Sequence, residues 1–204
     1  MDARPIPLPL ARAAAPERAD AVRNRALILS AARRLLAERG VDGLTMDGLA
    51  AEAGVGKGTV FRRFGSRNGL MLGLMDEIEA DFQARFIGGP PPLGPGADPV
   101  ERLVAFGRER MALLGVQGDL LRAAENSPEL RYASPPRAAS AMHVQILLNQ
   151  AGYDSDPVVL AFTLLASLDA TLVLHENRAE NLSLERLADG WEDIVRRVTA
   201  PRAS

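Results

Sequence analysis

The chain contains no cysteine. Disulfides, thiol redox chemistry and thiolate metal sites are therefore excluded. Histidine occurs twice, at His143 and His175, too few for a convincing metal site. Aromatic residues make up 4% of the sequence, and the lone tryptophan, Trp191, does not make an aromatic cage. No apolar run is long enough to span a bilayer, so no membrane partner is expected. Prolines at 5, 7 and 9 break up the only apolar stretch near the start, which makes it a poor signal peptide. The expected location is the cytoplasm. No phosphate loop or dinucleotide fingerprint occurs, and Ser30, Ser66 and Ser167 lack a histidine in any catalytic pattern. Neither an enzyme nor a cofactor is expected. Alternating strand patterns are missing as well, which leaves an all-α protein. Lysine occurs once, at Lys57, against 23 arginines.

What is present is an ordinary globular composition, 47% hydrophobic and 25% charged, over 204 residues. The formal net charge of −2 hides an asymmetry. Residues 1–70 hold 12 Lys+Arg against 7 Asp+Glu, a net of +5, whereas residues 71–204 hold 12 against 19, a net of −7. Phosphate binding requires a basic surface, and only the first third supplies one.

That third contains the most informative segment, GVDGLTMDGLAAEAGVGKGTVFRRF, from Gly40 to Phe64. Thr45 is a good N-cap for a helix whose Met46, Leu49, Ala50 and Ala53 recur at helical spacing. Gly54 fits the position after that helix, where positive φ is cheap for glycine alone. Val55 plugs the turn. Gly56-Lys57-Gly58-Thr59 opens a second helix with little side-chain bulk, so its backbone can approach a phosphate or a base edge. Val60 and Phe64 point back to the core, leaving Lys57, Thr59, Phe61, Arg62 and Arg63 outside. This is the build of a helix-turn-helix, whose second helix enters a DNA major groove.

With its flanks, Ile28–Gly40 upstream and Ser66–Leu70 downstream, the segment resembles the N-terminal domain of the TetR/AcrR family of bacterial transcriptional regulators. Gly56, Phe61 and Arg63 stand where the commonest family pattern has Ser or Thr, Tyr and His. The resemblance implies DNA contacts at Thr45, Gly56, Lys57, Gly58, Thr59, Phe61, Arg62, Arg63 and Arg67. Thr45 is equally explained as a cap, and Phe61 as a packing residue. The family layout implies a three-helix DNA-binding domain over residues 21–66, preceded by a disordered tail over 1–20. An effector-binding and dimerising antiparallel bundle then follows over 67–204, about nine helices in all.

Within that bundle the helices expected from the sequence run from Ser66 to Phe86, from Asp98 to Leu114, near Asp119–Glu125, over Ala138–Ala151, from Asp156 to Glu176, and from Ser183 onward. Residues 126–137 read as a loop. The helix after Asp156 is apolar nearly all round and must be covered on several sides. Its one acid, Asp169, is either a structural ion-pair or hydrogen-bond member or a reader of a cationic ligand. Candidate effector residues are Phe106, Arg110, Met142, His143, Ile146, Phe162, Leu165 and Asp169, around a cavity between the helices that carry them. Gln145 and Arg108 are weaker candidates. Candidate dimer residues are Leu168, Leu172, His175, Leu187, Trp191 and Ile194. The implied function is a homodimeric repressor that binds double-stranded operator DNA and is released by a small-molecule effector of unknown identity. Its recognition helices would lie one or two DNA turns apart, roughly 34–36 Å for adjacent half-sites. The alternatives are a DNA-binding protein without an effector pocket, and an interaction module that no longer reads DNA.

Overall fold

The computed structural model describes residues 14–124 and 135–200. Most of the expected tail and of the expected 126–137 loop therefore lies outside the described residues. Among those described, all regular structure is helical: α1 (Ala14–Arg39), α2 (Met46–Glu52), α3 (Lys57–Phe64), α4 (Arg67–Gly88), α5 (Pro99–Ala124), α6 (Pro135–Gln150), α7 (Pro157–Ala166), α8 (Ala170–Arg178) and α9 (Leu184–Val198). The chain divides into two compact units between Leu70 and Met71.

The first unit is built on small and branched residues. Ile28, Leu29, Ala31, Ala32 and Leu35 of α1 are buried, as are Leu44, Leu49, Val60, Phe64 and Leu70. α1 begins at Ala14, inside the stretch expected to be a tail, because Ala14-Ala15 and the charged residues that follow are compatible with helix. It ends at Gly40, whose φ is +68°. Arg34 ties α1 to α2 through Glu52, with Nε 3.0 Å from Oε1.

The second unit is centred on Phe82, Phe86, Leu103, Phe106, Val144, Leu147, Ala161, Leu164, Trp191 and Val195, all buried. α9 lies along α5. The Trp191 indole N–H donates to the Leu103 carbonyl at 2.9 Å, and Gly107 lies so close beneath the ring that a Cβ there would come within 2.2 Å of it. Arg108 bridges from α5 to Asp189 and Glu192, and Arg196 returns the contact to Glu101.

Two elements differ from the sequence expectation. α5 does not stop at Leu114 with a second helix near 119; it runs on to Ala124. Two glycines beyond Leu114 are packing positions within this helix: a Cβ on Gly115 would meet Leu184 at 2.6 Å, and one on Gly118 would meet Leu174 at 2.7 Å. The expected 157–176 helix is two helices bent by 42°. Asp169 makes the break, accepting from the Thr171 and Leu172 N–H groups at 3.0 and 3.2 Å as the N-cap of α8. No single helix among the described residues is long and apolar enough to cross a membrane.

Candidate nucleic-acid interface

The geometry of the α2–α3 segment follows from three local devices. The Thr45 hydroxyl accepts from the Gly48 N–H at 3.1 Å, starting α2. Gly54, at φ +64°, reverses the chain, and the Val55 N–H returns to the Ala50 carbonyl at 3.1 Å. Gly56 is the N-cap of α3 and offers no side-chain cap; only its carbonyl is used, by the Thr59 N–H at 2.8 Å.

α3 is then fixed by burial of one edge. Val60 and Phe64 are buried, whereas Lys57, Gly58, Phe61, Arg62 and Arg63 are exposed. Thr59 is half-buried. A Cβ on Gly58 would meet nothing within 4 Å, and one on Gly56 only the Thr59 hydroxyl at 4.0 Å. Neither glycine is demanded by the packing of its own unit, so the surface stays low for reasons outside it.

The cations on this face differ in their engagement. Lys57 Nζ lies 2.7 Å from Asp47 Oδ1 and 2.9 Å from Oδ2, and 6.0 Å from the centre of the Phe61 ring. Arg62 makes no hydrogen bond or ion pair among the described residues. Arg63 donates to the Ala21 carbonyl of α1. Arg67 is exposed as well, its guanidinium donating to the carbonyls of Leu44, at 3.0 Å, and Val41. The sequence placed Arg63 on the outer face and the resemblance implied DNA contacts for both arginines; both are exposed, and each also donates within its own unit, Arg63 to a carbonyl of α1 and Arg67 to carbonyls of the α1–α2 connection. Sequence reasoning missed Asp47, an acid on an otherwise basic surface.

Residues 28–74 match the family model described as bacterial regulatory proteins of the tetR family. The fold matches that of a TetR-family transcriptional regulator from Pectobacterium atrosepticum at 26% sequence identity, covering 91% of this chain and 99% of that one, with a TM-score of 0.72. The chain is thus similar to the TetR family, in sequence over residues 28–74 and in fold over most of its length. Both likenesses support a DNA-binding transcriptional regulator. The same fold is found in the SmeT–triclosan complex, at 20% identity over 86% of this chain and 90% of that one, with a TM-score of 0.61. It is found too in NalD, the secondary repressor of the MexAB-OprM multidrug efflux pump in Pseudomonas aeruginosa, at 18% identity over 88% and 97%, with a TM-score of 0.56. No curated protein sequence matches the chain.

In the second unit, the structure separates the candidate effector residues. Phe106 joins Phe82 and Phe86 in an aromatic cluster with ring centres 5.1–5.5 Å apart. His143 is buried against it, stacked on Phe86 at 4.3 Å. Its Nε2 has no hydrogen-bond partner among the described residues. Burial, with help from the nearby Arg102, pushes its pKa down to about 4, so the ring is neutral. Leu165 is buried in the same core.

The other candidates are corrected. Arg110 is spent on a salt bridge to the buried Glu79 and lies over the Phe82 ring at 5.6 Å. Met142, Ile146 and Phe162 point outward, with exposures of 64%, 46% and 52%. Asp169 is a helix cap rather than an isolated core carboxylate. A depression of about 470 Å³ lies at the α6–α7 turn and the end of α9, lined by Gly152, Tyr153, Asp154, Arg197 and Thr199 among others, and it includes none of the expected effector residues.

Of the dimer candidates, Trp191 and Leu168 are buried in the chain's own core, so neither is free to meet a second subunit. Leu187 is half-buried against that core. Leu172, His175 and Ile194 are exposed. The larger exposed apolar groups are Val158, Val159 and Phe162 on α7 and Met142 and Ile146 on α6. The all-round apolarity expected of the Asp156–Glu176 helix was the signal for those on α7.

Proposed function

We propose that the chain is a homodimeric, cytoplasmic repressor that lays α3 into the major groove of operator DNA and leaves it when an effector binds the second unit. The observation that carries the DNA half is the division of α3 into a buried Val60–Phe64 edge and an outward face of Lys57, Gly58, Phe61 and Arg62. Glycine lets the backbone approach, cations meet phosphate or guanine, and the Phe61 ring meets sugar or a thymine methyl. Thr45, Gly56 and Thr59 flank this face, as do Arg63 and Arg67, whose guanidinium groups also donate to backbone carbonyls of the first unit.

The effector half rests on His143. A buried polar nitrogen without a partner is costly, and such groups are retained where something completes them. An uncharged, largely apolar ligand bearing one hydrogen-bond donor suits a neutral imidazole set among three phenylalanines. Asp169 is not part of this reading, so a cationic ligand is not required. The rival reading, a regulator without an effector, draws on the same cluster: Phe106 and His143 are already packed by the chain's own side chains.

Genomic fragments selected by the purified protein test the first half. The expected outcome is a small set of fragments sharing an inverted repeat, with binding weakened by Lys57→Ala and Arg62→Ala. Recovery of random fragments, or variants that bind like the parent, would reject it. An effector screen repeated on His143→Phe tests the second half: a compound that releases the parent from its fragment should fail to release the variant.

A further inference from the structure

α2 carries two carboxylates that face different partners. Glu52 pairs with Arg34 of α1, a strut between two scaffold helices. Asp47 pairs with Lys57, the first residue of α3, through both carboxylate oxygens. The Asp47 and Lys57 side chains are 68% and 60% exposed, so the pair sits on the open surface and is not needed to fill a core. Surface ion pairs of this kind add little to stability. Its position is more telling than its strength. Lys57 is the only lysine in the chain, a flexible point charge at the start of the helix that faces DNA, and a carboxylate already holds it.

We infer that Asp47 is a specificity-determining residue, which keeps Lys57 from binding phosphate indiscriminately and releases it only to a well-placed acceptor in the operator. This rests on the DNA-reading face proposed above. Along random DNA, Lys57 could reach a phosphate only by leaving Asp47, and the freed carboxylate would then face the polyanion. Both effects weaken non-specific binding, which is almost wholly electrostatic. At the operator, a guanine edge presenting O6 and N7 offers Lys57 two acceptors in one place. The exchange is then close to even. Asp47 thus lowers affinity for the wrong DNA more than for the right DNA, the form that specificity by repulsion takes. Arg62, without such a partner, supplies affinity to both.

The test compares Asp47→Asn with the parent on a short duplex of random sequence and on the most strongly selected genomic fragment, across a salt titration. Asn keeps the size and removes the charge; Asp47→Ser serves as a second neutral variant, and melting curves confirm folding. The random duplex should be bound about two- to fivefold more tightly by the neutral variants, with a salt slope steeper by about one. The selected fragment should gain less, so the affinity ratio falls. In a Lys57→Ala background, Asp47→Asn should leave the slope on random DNA unchanged. An unchanged random-duplex affinity in both neutral variants, or the same gain with Lys57 absent, would overturn the proposal. If Lys57→Ala and Arg62→Ala bind both duplexes like the parent, it is the DNA face itself that has failed, a separate and recognisable result.

Discussion

Lys57 and Arg62 differ in what each must give up to reach DNA, and Arg67 differs from both in having little left to offer. Arg62→Ala should weaken binding to any duplex and reduce the salt slope by about one, because a free guanidinium acts as a phosphate contact. Arg67→Ala should behave as a stability variant: two carbonyls at Val41 and Leu44 lose their donor, and since water can replace it the cost should be about 0.5–1.5 kcal/mol. Its melting point should fall, while the salt slope of the remaining folded protein stays near the parent's. A slope reduced by one with an unchanged melting point would restore Arg67 to the DNA face. His143 gives a pH dependence with a definite sign. Its pKa is about 4 in the folded chain against 6.5 ordinarily. The unfolded state therefore binds the proton first as pH falls. The stability that neutral His143 allows is complete above about pH 6.5 and is lost progressively down to about pH 4, by up to about 3 kcal/mol. His143→Phe should flatten this part of the profile in denaturant titrations at pH 7 and pH 4.5; an equally steep loss in the variant would show that other groups cause it.

At the scale of elements, what was legible was what is local. Thr45, Asp156 and Ser183 cap α2, α7 and α9, and Asp98 accepts from the Val100 N–H at the start of α5. Such caps act within three residues of themselves, so the sequence states them directly. The hydrogen-bonding role expected as one alternative for Asp169 is what the structure shows, but that it would cap and break the helix was hidden, because a cap placed inside an apolar run looks the same, in one dimension, as a buried polar group. The break it makes decides that α7 and α8 are separate helices. Asp169→Ala should therefore cost about 1 kcal/mol and Asp169→Asn only a few tenths, since both Asp and Asn accept from the N–H groups of a first turn. Equal losses in thermal melts would mean that charge, not capping, is what the site needs. Gly115 and Gly118 were illegible for a different reason. A glycine that lets Leu184 or Leu174 approach is indistinguishable in sequence from one that ends a helix. Gly107 is the sharpest case: alanine there would drive a Cβ into the Trp191 ring. Displacement of that ring would also strain its hydrogen bond to Leu103. Gly107→Ala should destabilise the second unit by about 1–3 kcal/mol, the usual cost of overpacking.

For the whole molecule, the sequence announced that the helix expected from Asp156 to Glu176 was apolar on too many sides for one chain to cover, but not which sides its own core would take. The structure buries Ala161, Leu164 and Leu165 and leaves Val158, Val159 and Phe162 in contact with solvent. Met142 and Ile146, one turn apart on α6, are similarly left out. Five large apolar side chains on two packed helices are more than a monomer ordinarily exposes without use. A two-fold repeat of the same surface covers them at no cost in new chemistry, and operators with inverted half-sites require a two-fold protein. The dimer face is therefore better assigned to α6 and α7 than to Trp191 and Leu168, which the chain's own core already uses. Phe162→Glu should convert a species of twofold mass at micromolar concentration into a monomer in sedimentation experiments, without lowering helix content. Operator affinity should fall steeply with it, because each half-site is then bound separately, while the weak affinity for random duplex changes far less. Ile194→Glu, on α9, should leave the mass unchanged. The reverse pattern, with Ile194→Glu dissociating the dimer and Phe162→Glu leaving it intact, would return the interface to the last helix and leave the apolar surface of α6 and α7 for another partner.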